Sequence, residues 1–314
     1  MNEEKNMKYV IYKLYFVNGV HLGRNSLENS EYAFCADTLF SALCQEAMKK
    51  SEDTLERFLA YVKKGQLVFS DAFPFMGNEY YLPKPFMYID HGEQTGDSTV
   101  KKAYKKMKYV PCSSFEEYLK GMLSKEKAES LKDFGHSYRK VSASIRGEEE
   151  TKPYRVGVYY YEDGNGLYFI AGMENDEIQE ILEELLEGLS YVGIGGKRSS
   201  GLGKFNCFPE SLPDLLKERL EGSWNRYMTL SLSLPKEEEL QDAIKDADYS
   251  VMKRSGFVAS ETYADEQMRK RDLYVFSAGS CFTKKYSGDV YDVSGNGRHP
   301  VYRYAMPMFM GVDV

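Results

Sequence analysis

The sequence has few of the features that mark secreted, disulfide-bonded, zinc-binding or membrane-spanning proteins. Among its 314 residues are five cysteines, which are widely spaced and form no C-x-x-C pair: Cys35, Cys44, Cys112, Cys207 and Cys281. Neither a disulfide framework nor a zinc site is therefore indicated. No uninterrupted apolar run approaches the length of about 20 residues that spans a bilayer, which excludes a membrane protein. The polar opening, Met1–Lys8, lacks the apolar segment of a secretory signal, so the expected compartment is the cytoplasm.

An excess of positive charge is also absent. The chain has 41 Lys and Arg against 48 Asp and Glu, a formal net charge of -7. Because proteins that coat nucleic acid depend on neutralising phosphates, this balance argues against that class, and any site for a polyanion must be local. Trp224 is the single tryptophan, whereas tyrosine occurs 26 times and phenylalanine 17 times. Tyrosines are common both in β-rich cores and on surfaces where bases stack. We prefer the first interpretation for the tyrosines of this chain.

The first two thirds of the chain predict an alternation of strands and helices. Lys8–Val17 alternates aliphatic and aromatic residues with short breaks and is bounded by Asn18-Gly19, which predicts a strand. An apolar stripe at helical spacing follows a predicted N-cap at Asp37, with a break near Ser51. The later elements are a strand over Gln66–Phe75, a hairpin of Tyr154–Tyr161 and Leu167–Ala171, a helix capped by Asn175 or Asp176, and a strand over Lys204–Phe208. Residues 76–145 predict an irregular insertion, part of it disordered until bound.

The element order approximates a ferredoxin-like β-α-β-β-α-β unit, and a second unit follows it. Pro209 and Pro213 mark the boundary. Beyond it we expect a strand over Arg226–Leu234, a helix near Glu237–Lys245, and strands near Tyr249–Ala259, Leu273–Phe276, Cys281–Lys284 and Val301–Met310. The predicted fold class is α+β with two ferredoxin-like (RRM-like) units, residues 1–208 and residues 209–314. The second is degenerate and β-rich, and the first carries the insertion and a glycine-rich loop.

The glycine-rich loop, residues 193–203 of YVGIGGKRSSGLGKF, is the most informative stretch. Its glycines allow positive φ and close approach of a phosphate to backbone N–H groups. Beside them lie cationic and hydroxyl donors. The candidate binding residues are Gly193, Gly195, Gly196, Lys197, Arg198, Ser199, Ser200, Gly201, Gly203 and Lys204. A polyphosphate or an RNA backbone would suit this set, and the alternative is a glycine-rich turn with incidental charges.

Two familiar phosphate cradles do not fit the loop. The loop does not match the motif G-x-x-x-x-G-K-[ST], because Tyr191 occupies the first glycine position. It does not match G-x-G-x-x-G either, because Arg198 occupies the last glycine position. Both of those cradles also join a strand to the following helix, whereas this loop joins a helix to a strand. A third possibility is a regulatory protein that binds a nucleotide through the loop. The absence of both nucleotide-binding motifs argues against it.

At these residues the sequence resembles the RAMP superfamily of CRISPR systems, whose signature is a glycine-rich loop after the second helix of a ferredoxin-like unit. Further matches extend from the first strand to the C-terminus. They are Asp37-Thr38-Leu39-Phe40-Ser41-Ala42, Gly166-Leu167-Tyr168-Phe169 and His299-Pro300-Val301-Tyr302-Arg303-Tyr304. Within the superfamily the chain is similar to the fourth Csm subunits of type III-A effector complexes. The resemblance is weak only over residues 76–145.

The resemblance implies a non-catalytic subunit of an RNA-guided antiviral complex. Such a subunit would bind the 5′ repeat-derived handle of the CRISPR RNA and dock the large Palm-domain subunit and the first backbone RAMP subunit. It would need no cofactor, metal or membrane. Backbone subunits of these complexes use a loop aspartate for target cleavage, and no equivalent aspartate can be placed here.

Histidines decide whether the chain could be an enzyme. Other RAMP proteins cleave repeat RNA with a histidine as general acid or base, and His21 follows the first strand in NGVHLGRNS. His21 and Arg24 could contact a phosphate, yet no partner acid or activated nucleophile is evident. A metal-independent endoribonuclease that uses His21 is therefore the alternative function. His91, His136 and His299 have no persuasive catalytic context.

Other basic residues are secondary candidates for the same groove. Lys253 and Arg254 are the first pair, and Arg269, Lys270 and Arg271 are a second group. Each is otherwise a solvated surface charge. The lysine run between Lys101 and Lys108 is either a flexible arm that touches RNA or the exposed face of a helix.

Overall fold

The computed structural model describes residues 7–24, 26–90, 98–144, 152–260 and 262–313. Its strands are β1 Lys8–Phe16, β2 Leu22–Arg24, β3 Ser26–Glu31, β4 Leu67–Phe69, β5 Phe73–Met76, β6 Glu79–Pro83, β7 Tyr109–Pro111, β8 Gly135–Ser144, β9 Lys152–Tyr161, β10 Asn165–Met173, β11 Phe205–Glu210, β12 Tyr227–Thr229, β13 Val251–Arg254, β14 Leu273–Phe276, β15 Cys281–Phe282, β16 Asp289–Asp292, β17 Tyr302–Ala305 and β18 Phe309–Gly311. Its helices are α1 Ala36–Lys50, α2 Glu52–Lys63, α3 Ser98–Lys106, α4 Phe115–Leu119, α5 Lys125–Ala128, α6 Asp176–Val192, α7 Asp214–Glu221 and α8 Glu237–Ala243. In these ranges no helix has both the length and the apolar character needed to cross a membrane.

A seven-stranded sheet organises the first two thirds of the chain. Its order is β11-β1-β10-β5-β6-β7, and β4 also pairs with β10. β1 lies between β10 and β11 and is antiparallel to both, so that Ile11 faces Ile170 on one side and Glu210 on the other. Residues 10–14 of β1 are all buried, because a strand inside a sheet that is covered on both faces exposes neither set of its alternating side chains.

Each face of the sheet is covered by a separate apolar cluster. Tyr12, Phe40 and Leu182 belong to the cluster on the side of α1, α2 and α6. Ile11 and Met310 belong to the second cluster, which joins the sheet to the insertion and to strands of the C-terminal third. Helices and strands are thus mixed within one fold, which confirms the α+β class.

Helix boundaries follow local capping chemistry. Ser51 ends α1 and its hydroxyl accepts a hydrogen bond from Thr54 N, so the predicted break is confirmed. Asn175 Oδ1 likewise accepts from Ile178 N at 3.0 Å and caps α6. The predicted N-cap at Asp37 is wrong. Cys35 holds that position, and Asp37 lies in the first turn of α1, where its carboxylate has other partners.

The prediction of an irregular insertion is wrong over the described part of residues 76–145. β6 pairs with β5 and β7 pairs with β6, so the insertion extends the main sheet by two strands. All of the lysine run except Lys108 lies on α3, a helix whose Ala103 and Tyr104 are buried while Lys101 and Lys102 are exposed. The helical alternative is therefore the one observed.

The predicted hairpin of Tyr154–Tyr161 with Leu167–Ala171 is also wrong. β9 pairs with β8 along ten residues, from Lys152 against Ser144 to Tyr161 against Gly135, and forms a separate two-stranded ribbon. β10 cannot accept β9 because β1 occupies one of its edges and β4 and β5 share the other. The turn at Gly164, predicted as a hairpin turn, instead leads the chain from the ribbon into the main sheet.

The C-terminal third consists of short paired strands. β15, β12 and β18 form one sheet, and β13 pairs with β14 and β16 with β17. The prediction for Leu273–Phe276 matches β14, whereas the strands expected over Arg226–Leu234 and Tyr249–Ala259 shorten to β12 and β13. This part of the chain is rich in strands, as predicted.

Candidate nucleic-acid interface

The glycine-rich loop begins where α6 ends and closes on itself before β11. Gly193 follows the last residue of the helix at φ 87°, and its N–H donates to Leu189 O at 2.7 Å. Ile194 N then donates to Gly203 O at 3.0 Å, which brings the two ends of the loop together. The loop is therefore a fixed structure with a tip at residues 197–201.

The segment between β1 and β2 forms hydrogen bonds with the loop. Gly196 N donates to His21 O at 2.8 Å, and Gly203 N donates to Gly19 O at 3.0 Å. Asn18 Nδ2 reaches Gly201 O at 3.3 Å. Backbone bonds at both ends of the loop thus tie its shape to the end of the central strand.

Two glycines are required by close backbone contact. A Cβ on Gly203 would lie 2.0 Å from Ile194 O, and one on Gly195 would lie 2.6 Å from His21 O. Both residues also have positive φ, at 79° and 93°, which L side chains rarely adopt. The positive φ predicted for the loop glycines is confirmed at these two positions, and both glycines also allow close contact between backbone segments, which the sequence analysis did not predict.

His21 lies beneath the loop with 6% of its surface exposed. Its Nδ1 donates a hydrogen bond of 2.6 Å to Gly157 O on β9. A Cβ on Gly196 would meet the ring at 2.7 Å, so the loop packs directly on the imidazole. His21 thereby joins the loop to the β8–β9 ribbon. Within the described ranges no group of three or more His, Cys, Asp or Glu residues is placed to hold a metal ion.

The tip of the loop presents several hydrogen-bond donors. Lys197 has φ 58° and precedes a 3₁₀ turn over Arg198–Ser200. The backbone N–H groups of Lys197, Arg198 and Ser199 have no acceptor in the part of the chain that the structure describes. The side chains of Ser199, Ser200 and Lys204 are exposed. Consecutive free N–H groups after a left-handed residue suit an anion, and the hydroxyl and ammonium groups beside them add further donors.

The side chains of Lys197 and Arg198 at the tip contact polar neighbours that do not neutralise their charges. Lys197 Nζ lies 3.3 Å from Tyr154 Oη and 4.8 Å from the centroid of its ring. Arg198 Nη2 donates to Gln45 Oε1 on α1 at 3.3 Å. Neither partner carries a negative charge, so both cations keep their capacity to bind phosphate.

For the other predicted residues no contact with the loop is described. Lys253 and Arg254 are on β13, and no hydrogen bond or ion pair joins β13 to the loop in the described residues. Lys253 Nζ pairs with Asp272 Oδ2 at 2.7 Å. Arg24 ends β2, and its side chain lies outside the described part of the structure. The structure therefore brings His21 and the loop together, whereas Lys253 is paired with Asp272.

Arg254 belongs to a buried charge cluster. Its guanidinium holds the Asp37 carboxylate through Nε at 2.9 Å and Nη2 at 2.6 Å, and Arg303 Nη1 holds the same carboxylate at 2.6 Å. Burial by itself would raise the pKa of Asp37, but the two arginines outweigh it and hold the pKa below its ordinary value. These contacts occupy the fork of Arg254 that would otherwise bind a phosphate.

Sequence reasoning missed the residues that steer the loop. Asn18 was interpreted only as the end of a strand, and Gln45 and Tyr154 only as parts of elements. Nothing in the local pattern relates Gln45 to Arg198, since 153 positions separate them. The Asn-Gly pair directly after a central strand is the one local signal, because it marks a turn that must approach other backbone.

Family models match nearly the whole chain. Residues 15–206 match the RAMP superfamily, and residues 223–312 match the CRISPR Csm4 C-terminal domain. The CRISPR system Cms protein Csm4 of Mycobacterium tuberculosis strain H37Rv is 38% identical over 294 residues, covering 93% of this chain and 94% of the relative. The protein of that name from Streptococcus thermophilus is 33% identical over 316 residues, covering 98% of this chain and 100% of the relative.

Solved structures share the fold at lower sequence identity. The crystal structure of a Csm3-Csm4 subcomplex in the type III-A CRISPR-Cas interference complex matches with a TM-score of 0.67 and 18% identity, covering 97% of this chain and 99% of the other. A Csm1-Csm4 cassette in complex with cA4 matches with a TM-score of 0.61 and 17% identity, covering 98% of each chain. The fold described above is therefore one that recurs in CRISPR assemblies.

Proposed function

The chain belongs to the Csm4 family of the RAMP superfamily, and from this membership we propose that it is a non-catalytic subunit of a type III-A CRISPR RNA-guided interference complex. In this proposal it binds the 5′ repeat-derived handle of the CRISPR RNA and docks the large Palm-domain subunit to the backbone RAMP subunits. It works in the cytoplasm, in antiviral defence. Its contribution is to position the RNA.

The observation that carries the proposal is the tip of the glycine-rich loop. Three backbone N–H groups without an acceptor in the described residues, two exposed serines and the cations of Lys197 and Arg198 lie within a few residues of one another. Single-stranded RNA is bound by this combination of phosphate contacts and 2′-hydroxyl contacts. Because the donors are held by a closed loop, little conformational entropy is lost when RNA binds.

The proposed partners follow from the relatives. Solved assemblies place Csm4 chains with Csm3 and with Csm1, and this chain matches both over nearly its full length. We therefore assign it the same two neighbours. A local basic loop on a chain of net charge -7 fits a subunit that meets RNA in one groove and proteins elsewhere.

The fold proposal is that residues 1–208 form a ferredoxin-like unit and residues 209–314 a degenerate second one. In the main sheet β11, β1, β10 and then β4 or β5 are neighbours, which is the order expected when β1, β4–β5, β10 and β11 are the four strands of the repeat. α1 and α6 lie on one face of it and supply the two crossover helices.

His21 supports a positioning role rather than catalysis. The ring is buried, and its Nδ1 is bound to a backbone carbonyl of β9. A general base must reach the proton that it removes, and here Gly196 covers the ring from the side of the loop. The endoribonuclease alternative therefore has no support from the arrangement of this histidine.

The proposal is tested by purifying the tagged chain from its host. The RNA that accompanies it is sequenced, and the accompanying proteins are identified by mass spectrometry. We expect guide RNAs that share one repeat-derived 5′ end, together with a large subunit and backbone subunits. Recovery of the intact chain without RNA or partners would contradict the proposal.

A further inference from the structure

A cleft lies between the main sheet and the C-terminal third, and no residue of the glycine-rich loop is part of its lining. It has a volume of about 430 Å³, within the range of roughly 300–1,000 Å³ that small-molecule sites occupy. Its walls come from the segment before α1, the β6–α3 and α3–β7 connections, and the residues near Met252 and Ala278. The cleft therefore joins parts of the chain that are far apart in sequence.

Positive charge is concentrated in this cleft. Lys84, Lys105 and Lys108 line it, and Asp71 is the single acidic residue among the described residues of its lining. Asp71 Oδ1 already accepts hydrogen bonds from Ala36 N at 2.8 Å and Leu232 N at 3.0 Å. Three ammonium groups against one carboxyl, on a chain of net charge -7, make a local site for an anion.

Two of the three lysines have contacts with neighbouring groups that are not carboxylates, and Lys105 is exposed. Lys84 Nζ donates to Tyr104 O at 2.7 Å, and burial lowers the pKa of Lys84. Lys108 Nζ lies 5.7 Å from the centroid of the Tyr32 ring. Within the described ranges Lys84, Lys105 and Lys108 form no salt bridge, so an incoming anion does not have to displace a carboxylate from them.

Aromatic rings form the apolar walls of the same cleft. Phe73, Phe86 and Tyr109 line it, and Phe86 is 43% exposed. The rings of Phe73 and Tyr109 pack against each other at 6.1 Å between centroids, which fixes one wall. An exposed ring in the same cleft as a fixed aromatic wall is an arrangement on which a planar group can stack.

We propose that this cleft binds one unstacked nucleotide of single-stranded RNA, with its base against Phe86 and its phosphate held by Lys105 and Lys108. The inference rests on the proposed RNA-binding function and adds a second contact point to it. Phosphate and an aromatic base are the two halves of a nucleotide, and the lining of the cleft supplies ammonium groups for one and aromatic rings for the other. An apolar ligand would leave the ammonium groups unused, and an inorganic anion would leave the rings unused.

A photocrosslinking experiment on the assembled complex tests the proposal. Guide RNAs carry a photoreactive thionucleotide at one handle position at a time, and crosslinked peptides are identified by mass spectrometry. We expect one position to crosslink to the peptide that contains Phe86 or to the one that contains Tyr109. If no position crosslinks to either peptide, or if all positions do so weakly and equally, the proposal is wrong.

Matched variants distinguish base stacking in the cleft from non-specific electrostatic attraction between lysines and RNA. Phe86→Ala removes the exposed ring, whereas the hydrogen bond from Phe86 N to Gly279 O at 2.8 Å remains. It should lower the crosslink yield at that position by about tenfold, the value of one stacked base. The pair Lys105→Glu and Lys108→Glu should lower it as well. The control pair, Lys101→Glu and Lys102→Glu, makes the same charge change on the exposed face of α3, and an equal reduction there would overturn the proposal.

Two competitors distinguish the source of the nucleotide. Adenosine monophosphate and uridine monophosphate at millimolar concentration should leave the crosslink unchanged if the site takes a nucleotide held within an RNA chain. Full competition would overturn the RNA assignment in favour of a free nucleotide. A carbodiimide crosslink from Lys105 or Lys108 to a carboxylate of a partner subunit would overturn it in favour of an acidic protein segment.

The glycine-rich loop serves as the internal reference of these experiments, so Lys197 and Arg198 stay unaltered in every cleft variant. If the complex with the unaltered chain retains guide RNA but shows no cleft crosslink, the loop stays the handle site and only the cleft proposal is refuted. If that complex forms without any guide RNA, the proposed function itself is refuted.

Discussion

Asp37 and Arg303 form a buried ion pair, with 2.6 Å between Oδ2 and Nη1, although 266 positions separate them in the chain. Asp37 lies in the first turn of α1 and Arg303 lies in β17, and each is about 5% exposed. Arg254 of β13 binds the other oxygen of the same carboxylate. One side chain of α1 thus joins two strands of the C-terminal third to the first helix.

Asp37→Asn should destabilise the fold strongly. The change leaves the charges of Arg254 and Arg303 without their carboxylate, and breaking a buried pair costs about 3–5 kcal/mol. Asp53→Asn, a change of the same type in the exposed first turn of α2, is the control. Chemical denaturation measures both variants. Equal free energies of unfolding for the two would show that the cluster does not join the parts of the chain.

Gly203→Ala should collapse the loop. The new Cβ would lie 2.0 Å from Ile194 O, and the residue would also have to keep φ 79°. Gly164→Ala is a matched control, since Gly164 has φ 80° and no atom within 4 Å of an added Cβ. Both variants should lose about 1–2 kcal/mol for the left-handed backbone. Gly203→Ala should in addition lose guide-RNA binding in a filter-binding assay, and retention of full affinity would contradict the account of the loop.

His21→Ala should weaken RNA binding. It should not abolish a nuclease activity, because we expect the wild-type chain to have none. The alanine variant loses the hydrogen bond to Gly157 O and leaves space beneath Gly196, so the loop loses its support. His21→Asn should restore much of the affinity, because its amide N–H can donate in place of Nδ1. Repeat RNA incubated with the wild-type chain in EDTA should stay intact. Cleavage that disappears in His21→Ala would establish the endoribonuclease instead.

Stability should depend on pH through Asp71. Burial raises the pKa of this carboxyl to about 6 from an ordinary value of 3.8, despite hydrogen bonds from Ala36 and Leu232 that lower it. The folded chain therefore binds a proton more tightly than the unfolded chain, and this group adds stability as pH falls from 7 towards 4. Asp71→Asn keeps the acceptor oxygen and removes the charge.

The asparagine variant should accordingly be more stable than the wild type at pH 7.5, by at most about 3 kcal/mol for a pKa difference of this size. The advantage should shrink as pH falls through 6 and disappear near pH 4. Thermal denaturation of both proteins across this range measures it. A difference that does not change with pH would show that Asp71 titrates normally.

Local patterns in the sequence were sufficient for the elements that carry the site. The alternation in Lys8–Val17 predicted β1, the cap at Asn175 predicted α6, and the glycine spacing after Tyr191 predicted the loop. Each of these signals lies within one element or at its end. The resemblance to the RAMP superfamily rested on the same stretches, and the family assignment is confirmed.

Pairing between distant segments could not be predicted from local pattern. Tyr154–Tyr161 and Leu167–Ala171 have the composition of a hairpin, yet β9 pairs with β8 because both edges of β10 are taken. Arg254 has the composition of a surface cation, yet it is bound to Asp37 across 217 positions. In both cases the deciding partner is remote, and a single sequence does not record it.

If the tip of the glycine-rich loop binds the RNA handle, reversing the charges of the tip should change the salt dependence of RNA binding. The assembled complex is compared with one that carries Lys197→Glu and Arg198→Glu, and with a control that carries Lys120→Glu and Lys132→Glu on exposed parts of the insertion. The loop variant should bind handle RNA more weakly, and its slope of log K against log[salt] should flatten by about 0.7 for each phosphate that the loop no longer neutralises. The control should behave as the wild type. An unchanged affinity and slope in the loop variant would contradict the account.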